Sequence, residues 1–262
     1  MINFVRKERY GMKDLENIVS ILRAPGGCPW DMEQTHASLR RGLLEESCEV
    51  IEAINEESPG HLKEELGDVL LQVVFHADIE KDAGRFDLED VADGICKKLI
   101  FRHPHVFGDV TVSGTDEVLS NWEDLKREEK SQQTYTDTLN AVAKSLPALW
   151  RAEKVQKKAK KAGFDWPDAQ AAVDKLSEEL SELREAIAQG TNVEEELGDL
   201  LFAAVNVSRF VHADPEETLN AATEKFISRF AKVEELAKAQ GQDMTQMSLT
   251  ELDKLWEAVK RT

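Results

Sequence analysis

Four carboxylates stand in this chain at a spacing that suits a cation: Glu46 and Glu49, three residues apart, then Glu65 and Asp68, three apart again. The set returns as Glu179, Glu182, Glu196 and Asp199. On a helix, a separation of three puts both acids of a pair on one face. Two such helices joined by a short turn run antiparallel and bring the pairs together. Converging carboxylates repel one another and lose hydration, so each tetrad implies a bound cation. Neither tetrad holds His or Cys. Hard oxygen ligands favour Mg²⁺ or Mn²⁺ over zinc, and di-iron bundles, which use Glu-x-x-His, fit poorly. The chemistry open to such a pair of sites is metal-assisted work on a small anion.

The flanking residues decide whether these acids are surface decoration. On a helical wheel, Glu65, Asp68 and Gln72 form one narrow stripe, with Leu66, Val69, Leu70, Leu71, Val73, Val74 and Phe75 on both flanks and the far side. The second stripe is Glu196, Asp199, Ala203 and Asn206, with Leu197, Leu200, Leu201, Phe202 and Val205 around it. On the preceding helix Leu43, Ser47, Val50 and Ile54 read as the core face, and Glu46 and Glu49 lie at its edge. Acids at helical spacing often only decorate a solvated face, and that reading suits Glu45, Glu52, Glu56, Glu57 and Glu194. For the two stripes, the apolar flanks and the recurrence reverse it.

The elements that must position these acids are helices. Leu15, Ile18, Val19 and Leu22 recur at helical spacing before the turn-rich APGGCPWD. Further helices are expected from about His36 to Glu57, from about Leu62 to Lys81, and from an Asp87 cap to about Arg102. HPHVFGDVTVSGTDE reads as an irregular loop before a short helix holding NWEDLKREE. The polar KSQQTYTDTL lacks an apolar stripe and sets a boundary between about Lys130 and Thr138, hence domains 1–133 and 134–262. Four blocks recur in order: EESCEVIEAI from Glu45 with EELSELREAI from Glu178, EELGDVLLQV from Glu64 with EELGDLLFAA from Glu195, KLIFR from Lys98 with KFISR from Lys225, and WEDLKR from Trp122 with WEAVKR from Trp256. Their offsets, 133, 131, 127 and 134, identify an internal duplication.

Composition agrees with an all-α fold, since Glu, Ala, Leu and Lys are abundant and β-type alternation is scarce. The 33 basic residues against 51 acidic ones give a formal charge of −18, which argues against a nucleic acid polymer as partner. Cys28, Cys48 and Cys96 are widely spaced and form no CxxC pair, as expected of a cytoplasmic protein in a reducing compartment. No stretch approaches the length of a membrane-spanning helix, so no membrane association is expected.

Glu-x-x-Glu, then Glu-x-x-Asp, then Lys-x-x-x-Arg are all present twice. With GCPWD at Gly27, FRHPHVFGD at Phe101, KAGFDW at Lys161 and the two WExxKR blocks, they closely resemble the MazG family of tandem nucleoside triphosphate pyrophosphohydrolases. The likeness runs from about Met12 to the C-terminus. The carboxylate motif alone is shared with dimeric dUTPases and phosphoribosyl-ATP pyrophosphohydrolases; the tandem plan and flanking motifs make the likeness specific. The resemblance implies a homodimer of helical bundles and Mg²⁺-dependent hydrolysis of NTPs and dNTPs to monophosphate and pyrophosphate.

Under that resemblance Glu179, Glu182, Glu196 and Asp199 are the expected metal-binding and catalytic set, with Lys175, Lys225, Arg229, Trp256 and Lys260 facing the nucleotide. The parallel first-copy set is Glu46, Glu49, Glu65 and Asp68 with Lys98, Arg102, Trp122 and Lys126. Lys225 and Arg229, one helical turn apart, suit the charge of departing pyrophosphate. Trp256 reads equally as a pocket wall or as a packing anchor. Phe164 and Trp166, with Trp30 in the first copy, are candidates to hold a base. His103 and His105 read as capping or packing residues rather than a metal pair. Lys175 has Gly42 as its counterpart, which favours the second copy as the main catalytic site. Alternatives are a narrower dUTPase-like or damaged-nucleotide hydrolase, and a module that binds nucleotide without turning it over.

Overall fold

The computed structural model describes residues 4–129 and 133–261, and within them every side chain except those at positions 116, 119, 120, 123, 124, 127 and 128. The helices are α1 (Met12–Arg23), α2 (Pro29–Met32), α3 (His36–Asn55), α4 (Pro59–Asp82), α5 (Leu88–Arg102), α6 (Pro104–Phe107), α7 (Thr115–Glu129), α8 (Tyr135–Asn140), α9 (Ala148–Lys161), α10 (Ala169–Gln189), α11 (Val193–Phe210), α12 (Pro215–Ala239) and α13 (Leu249–Lys260). No strand occurs among the described residues. The chain divides into two compact units, Met1–Lys126 and Arg127–Thr262. Residues 130–132, where the sequence places the start of the boundary, lie outside the described residues.

Helix starts follow local chemistry. The side chains of Thr35, Ser58, Asp87 and Asp168 each accept a backbone N–H of the helix they precede, and Pro59 takes the first helical position of α4, where a missing N–H costs nothing. The same proline effect explains two short helices inside stretches expected to be irregular: Pro29 opens α2 and Pro104 opens α6. The turn between α10 and α11 needs left-handed backbone, which Gly190 supplies at φ 68° and Asn192 at φ 55°. Across it, α10 and α11 pack along each other, as α3 and α4 do in the first unit.

In the first unit Val19, Leu39, Val74 and Phe75 form a buried cluster, joined by Leu15, Leu71, Ile79 and Leu88. Each such side chain contributes about 1.5–3 kcal/mol when fully buried. A polar strut lies beside it: the buried Asp78 accepts hydrogen bonds from Ser20 and Arg23, tying α4 to α1. Removing one partner of a buried pair of this kind costs about 3–5 kcal/mol, because the other charge is stranded. Glu80 similarly anchors the start of α3, pairing with Arg85 and with His36; the Arg85 hydrogen bond above all holds its carboxyl down at about 2. In the second unit, Trp150 of α9 donates its indole N–H to Asp214 at 2.9 Å, the residue that also caps α12. Trp256 packs on Phe226, with ring centroids 5.2 Å apart, and fastens α13 to α12.

Two expectations need correction. Ile54 is 54 % exposed and does not belong to the core face of α3; Leu39 and Ala53 are the residues buried on that helix. The apolar surround of the acid stripes is also only partial. Leu66, Val73, Leu197, Leu201 and Phe202 are exposed, as are Phe226, Ile227 and Phe230 on α12. Each helix pair buries one acid of its seam, Glu65 or Glu179, and leaves apolar side chains outward.

Candidate functional site

In the first unit, carboxylate oxygens of Glu46, Glu49 and Glu65 all lie within 4.8 Å of one another. Asp68 stands outside this tight trio, but its charge reaches both Glu46 and Glu65. Loss of hydration, more than any single neighbour, pushes the Glu46 and Glu65 carboxyls above their usual range, and repulsion from Glu49 adds to both shifts. In the second unit the trio within 4.8 Å is Glu179, Glu196 and Asp199. Glu182 adjoins it, and its carboxyl is raised by desolvation first, then by its hydrogen bond to Glu179 and the charge of Glu196. Glu65 and Glu179, 9 % and 6 % exposed, are the buried member of each trio. The structure thus brings three of each expected four together closely and sets the fourth beside them.

The donor set fits a divalent metal. Three mutually repelling carboxylates within ligand distance of one centre, one of them buried, are the oxygen-only environment that hard cations take. Glu46, Glu49, Glu65 and Asp68, or Glu179, Glu182, Glu196 and Asp199, are the residues placed to hold it. Two side chains from outside the tetrads already offset part of the charge. His61 approaches Glu65 at 3.2 Å and Glu56 at 2.8 Å, a contact that sequence spacing did not single out. Lys175 pairs at 2.8 Å with both Glu178 and Glu179, so its ammonium, expected to face phosphate, instead rests on the acids.

The other expected nucleotide-facing residues lie on different helices. Arg102 and Lys126 both stack on Trp122, with the guanidinium carbon 5.3 Å and the ammonium 4.9 Å from the ring centroid; Lys98 is exposed. Lys225, Arg229, Trp256 and Lys260 stand on α12 and α13, which pack on each other and, through α12, on α9. Lys260 is paired with Glu257, and Trp256 is engaged by Phe226. Within one chain this group therefore occupies a separate helix pair from the α10–α11 acids. His103 donates from Nδ1 to the Leu99 carbonyl at 2.6 Å and its ring contacts that of His105, a cap rather than a ligand pair.

Beside the second trio lies a cavity of about 570 Å³ that sequence spacing did not reveal. Glu179, Asp199 and Lys175 form part of its lining, and Phe164, Trp166, Phe202, Gln156, Asn206 and Arg209 much of the rest. Phe164 and Trp166 are among the lining residues, Phe164 and the first-copy candidate Trp30 both being largely exposed. The two copies differ at this place. The GCPW of Gly27 and the GFDW of Gly163 align at an offset of 136, which also superposes the first residues of α1 and α9. On that register and the 131 offset of the α4 and α11 blocks, Ala159, Ala203 and Asn206 of the cavity correspond to Arg23, Gln72 and Phe75. Those three larger side chains are packed in the first unit: Phe75 in the core, Arg23 over the Phe75 ring, and the Gln72 amide against Gly42, where an added Cβ would lie 3.1 Å from Nε2.

The pattern described as the MazG nucleotide pyrophosphohydrolase domain matches the chain twice, at residues 34–107 and 168–234. The chain belongs to the MazG nucleotide pyrophosphohydrolase family. It is 46 % identical over 248 residues to a protein of Thermotoga maritima named nucleoside triphosphate pyrophosphohydrolase/pyrophosphatase MazG, spanning 95 % of each chain. It is 43 % identical to the nucleoside triphosphate pyrophosphohydrolase of Escherichia coli, spanning 95 % of this chain and 98 % of that one. A Bacillus subtilis protein, YabN, described as uncharacterized, is 48 % identical over 94 % of this chain and 51 % of its own length. Both matched segments of the MazG pattern contain a full acid tetrad, and the second also contains Lys175, Lys225 and Arg229.

The raised carboxyls give the acid clusters a testable pH signature. A carboxyl whose folded pKa is raised opposes folding once ionised, so the penalty is full above that pKa and vanishes as pH falls below the usual carboxylate range. A divalent cation binds the ionised form and offsets the penalty. Saturating Mg²⁺ is therefore expected to raise Tm by about 5 °C or more near neutral pH, with the gain shrinking as pH approaches the carboxylate range. The double variant Glu65→Gln/Glu196→Gln should lose most of it. An equal gain at both ends of the pH series, or in the double variant, would show that the cation acts elsewhere.

Proposed function

We propose that this chain is a Mg²⁺-dependent nucleoside triphosphate pyrophosphohydrolase that converts NTPs and dNTPs to monophosphate and pyrophosphate, and that the second copy is its working site. The observation that carries the choice of copy is the cavity beside Glu179 and Asp199, whose first-copy counterpart positions hold Arg23, Gln72 and Phe75. The names of the relatives over nearly the full chain support the reaction class.

Glu179, Glu182, Glu196 and Asp199 would hold Mg²⁺, which would supply charge neutralisation at phosphate oxygens and acidification of a water. The protein's own groups do the rest. Glu182 stands beside the tight trio rather than within it, which suits it to take the proton of the attacking water. Lys175 is within reach of the acids and exchanges its contact with Glu179 for a phosphate oxygen when substrate arrives. Phe164, Trp166 and Phe202 offer apolar surface for the base in the same cavity.

Lys225, Arg229, Trp256 and Lys260 are assigned to the pyrophosphate end. Their helix pair is separate from α10–α11 and carries exposed Phe226, Ile227 and Phe230, which supports a meeting with the phosphates at a contact between two chains. A homodimer also covers the outward apolar faces of the acid-bearing helices, including Leu66, Leu197 and Leu201. The first copy, which carries Lys98 and Arg102 on α5 and Trp122 and Lys126 on α7, retains an acid cluster without the cavity residues of the second.

Product analysis with Mg²⁺ and a panel of NTPs and dNTPs tests this reading. The parent is expected to sediment as a dimer and to release pyrophosphate with monophosphate. Glu196→Gln is expected to lower kcat at least about a hundredfold, the scale of losing one metal-organising carboxylate, while Glu65→Gln stays within about threefold. Release of orthophosphate and diphosphate overturns the reaction class, and binding without product favours the regulatory-module reading. Turnover confined to dUTP favours the narrower hydrolase.

A further inference from the structure

The cavity beside the second acid cluster contains one buried hydrogen-bonding atom with nothing to bond. Gln156 of α9 is 5 % exposed and lines the cavity. Its Nε2 donates to the backbone carbonyl of Phe202 at 2.8 Å. A carbonyl oxygen only accepts, so this contact fixes the orientation of the amide: the nitrogen faces Phe202 and the oxygen is the end left over. That oxygen, Oε1, is buried and has no hydrogen-bond partner. Buried polar atoms are nearly always satisfied, and one left unsatisfied in a cavity wall points to a group that arrives from outside.

Asn206, on α11, completes the pattern. Its Oδ1 accepts from Arg209 at 3.1 Å from Nε and 2.9 Å from Nη2, and Arg209 is itself held by Asp165. What Asn206 has left to offer is therefore its amide N–H₂, a donor. The wall thus presents an acceptor from Gln156 and a donor from Asn206, between aromatic side chains and next to the acids proposed to hold the metal. In the first unit the positions of Gln156 and Asn206 are Ser20 and Phe75, and Ser20 is spent on Asp78. The paired acceptor and donor therefore belong to the second copy, whereas the first unit's own buried and unpartnered amide oxygen, Gln72 Oε1, sits on an amide packed against Gly42.

We infer that Gln156 reads the nucleobase by accepting a hydrogen bond from an N–H on its edge, so that the site selects bases carrying such a donor and discriminates against bases that have lost it. This rests on the proposed nucleotide site and adds its specificity-determining residue. Bringing a base without an N–H against Oε1 leaves a desolvated acceptor unpaired, and such an unmade contact is more costly than a made one is favourable. An amino-bearing ring such as adenine supplies the donor and a neighbouring ring nitrogen for the Asn206 amide.

The test compares ATP with purine riboside triphosphate, which has the same ring without the amino group. The parent is expected to favour ATP in kcat/KM by about ten- to a hundredfold, mostly through KM. Gln156→Met, similar in volume but without the acceptor, should bring the two nucleotides within about threefold of each other. The ratio within each variant is the readout, so a general loss of activity does not imitate the effect. Calorimetric binding of AMP against purine riboside monophosphate gives the same ratio without turnover, and so separates failure of base reading from failure of the pyrophosphohydrolase reading. Equal use of both nucleotides by the parent, or a preference unchanged in Gln156→Met, overturns the inference.

Discussion

Carboxylates crowded along the seam between two helices repel one another and lose their hydration, and the architecture of each unit follows from how that repulsion is met. The seam needs the two helices to lie close, which the short turns after α3 and α10 enforce. It needs the acids at fixed heights, which the caps at Thr35, Ser58 and Asp168 set by fixing where each helix begins. The remaining positive partners, His61 and Lys175, touch only one acid of each trio and leave the other carboxylates to repel. Desolvated acids held this way are poor at stabilising a fold and well suited to gripping a divalent metal.

Duplication made two such seams, and the residues packed against them have since diverged. In the first unit the counterpart positions are packed: Phe75 is buried, Arg23 lies over its ring, and the Gln72 amide lies against Gly42. In the second, alanine at 159 and 203 and asparagine at 206 leave room, and the polar strut of Ser20, Arg23 and Asp78 is replaced by Arg209 held between Asp165 and Asn206. A few changes of side-chain volume thus separate a packed wall from a cavity of about 570 Å³.

Much of this was legible in the sequence because it rests on periodicity. The i, i+3 spacing of Glu46/Glu49 and Glu65/Asp68 reports a shared helix face, and the ordered blocks report the duplication. Shape was harder to read. The short helices at Pro29 and Pro104 arise from proline preorganising a single turn, too brief for an apolar period to show. Ile54 was misplaced because a helical wheel orders residues around an axis without saying which neighbour covers each face, and no element of the unit covers this one. Gln156 sits in the basic run KVQKKAKK, where nothing distinguishes it until its amide is seen between the Phe202 carbonyl and the cavity.

The claim that the second-copy cavity is the nucleotide site is tested most directly by filling it with the residue the first copy uses. Ala203→Gln places the counterpart of Gln72 beside an acid cluster whose own residues are untouched. The account predicts that Mn²⁺ still binds at Glu179, Glu196 and Asp199, while affinity for a non-hydrolysable nucleotide, followed by equilibrium dialysis, falls by at least about tenfold. Retention of nucleotide affinity with the cavity filled, in a protein that still binds the metal, would contradict it.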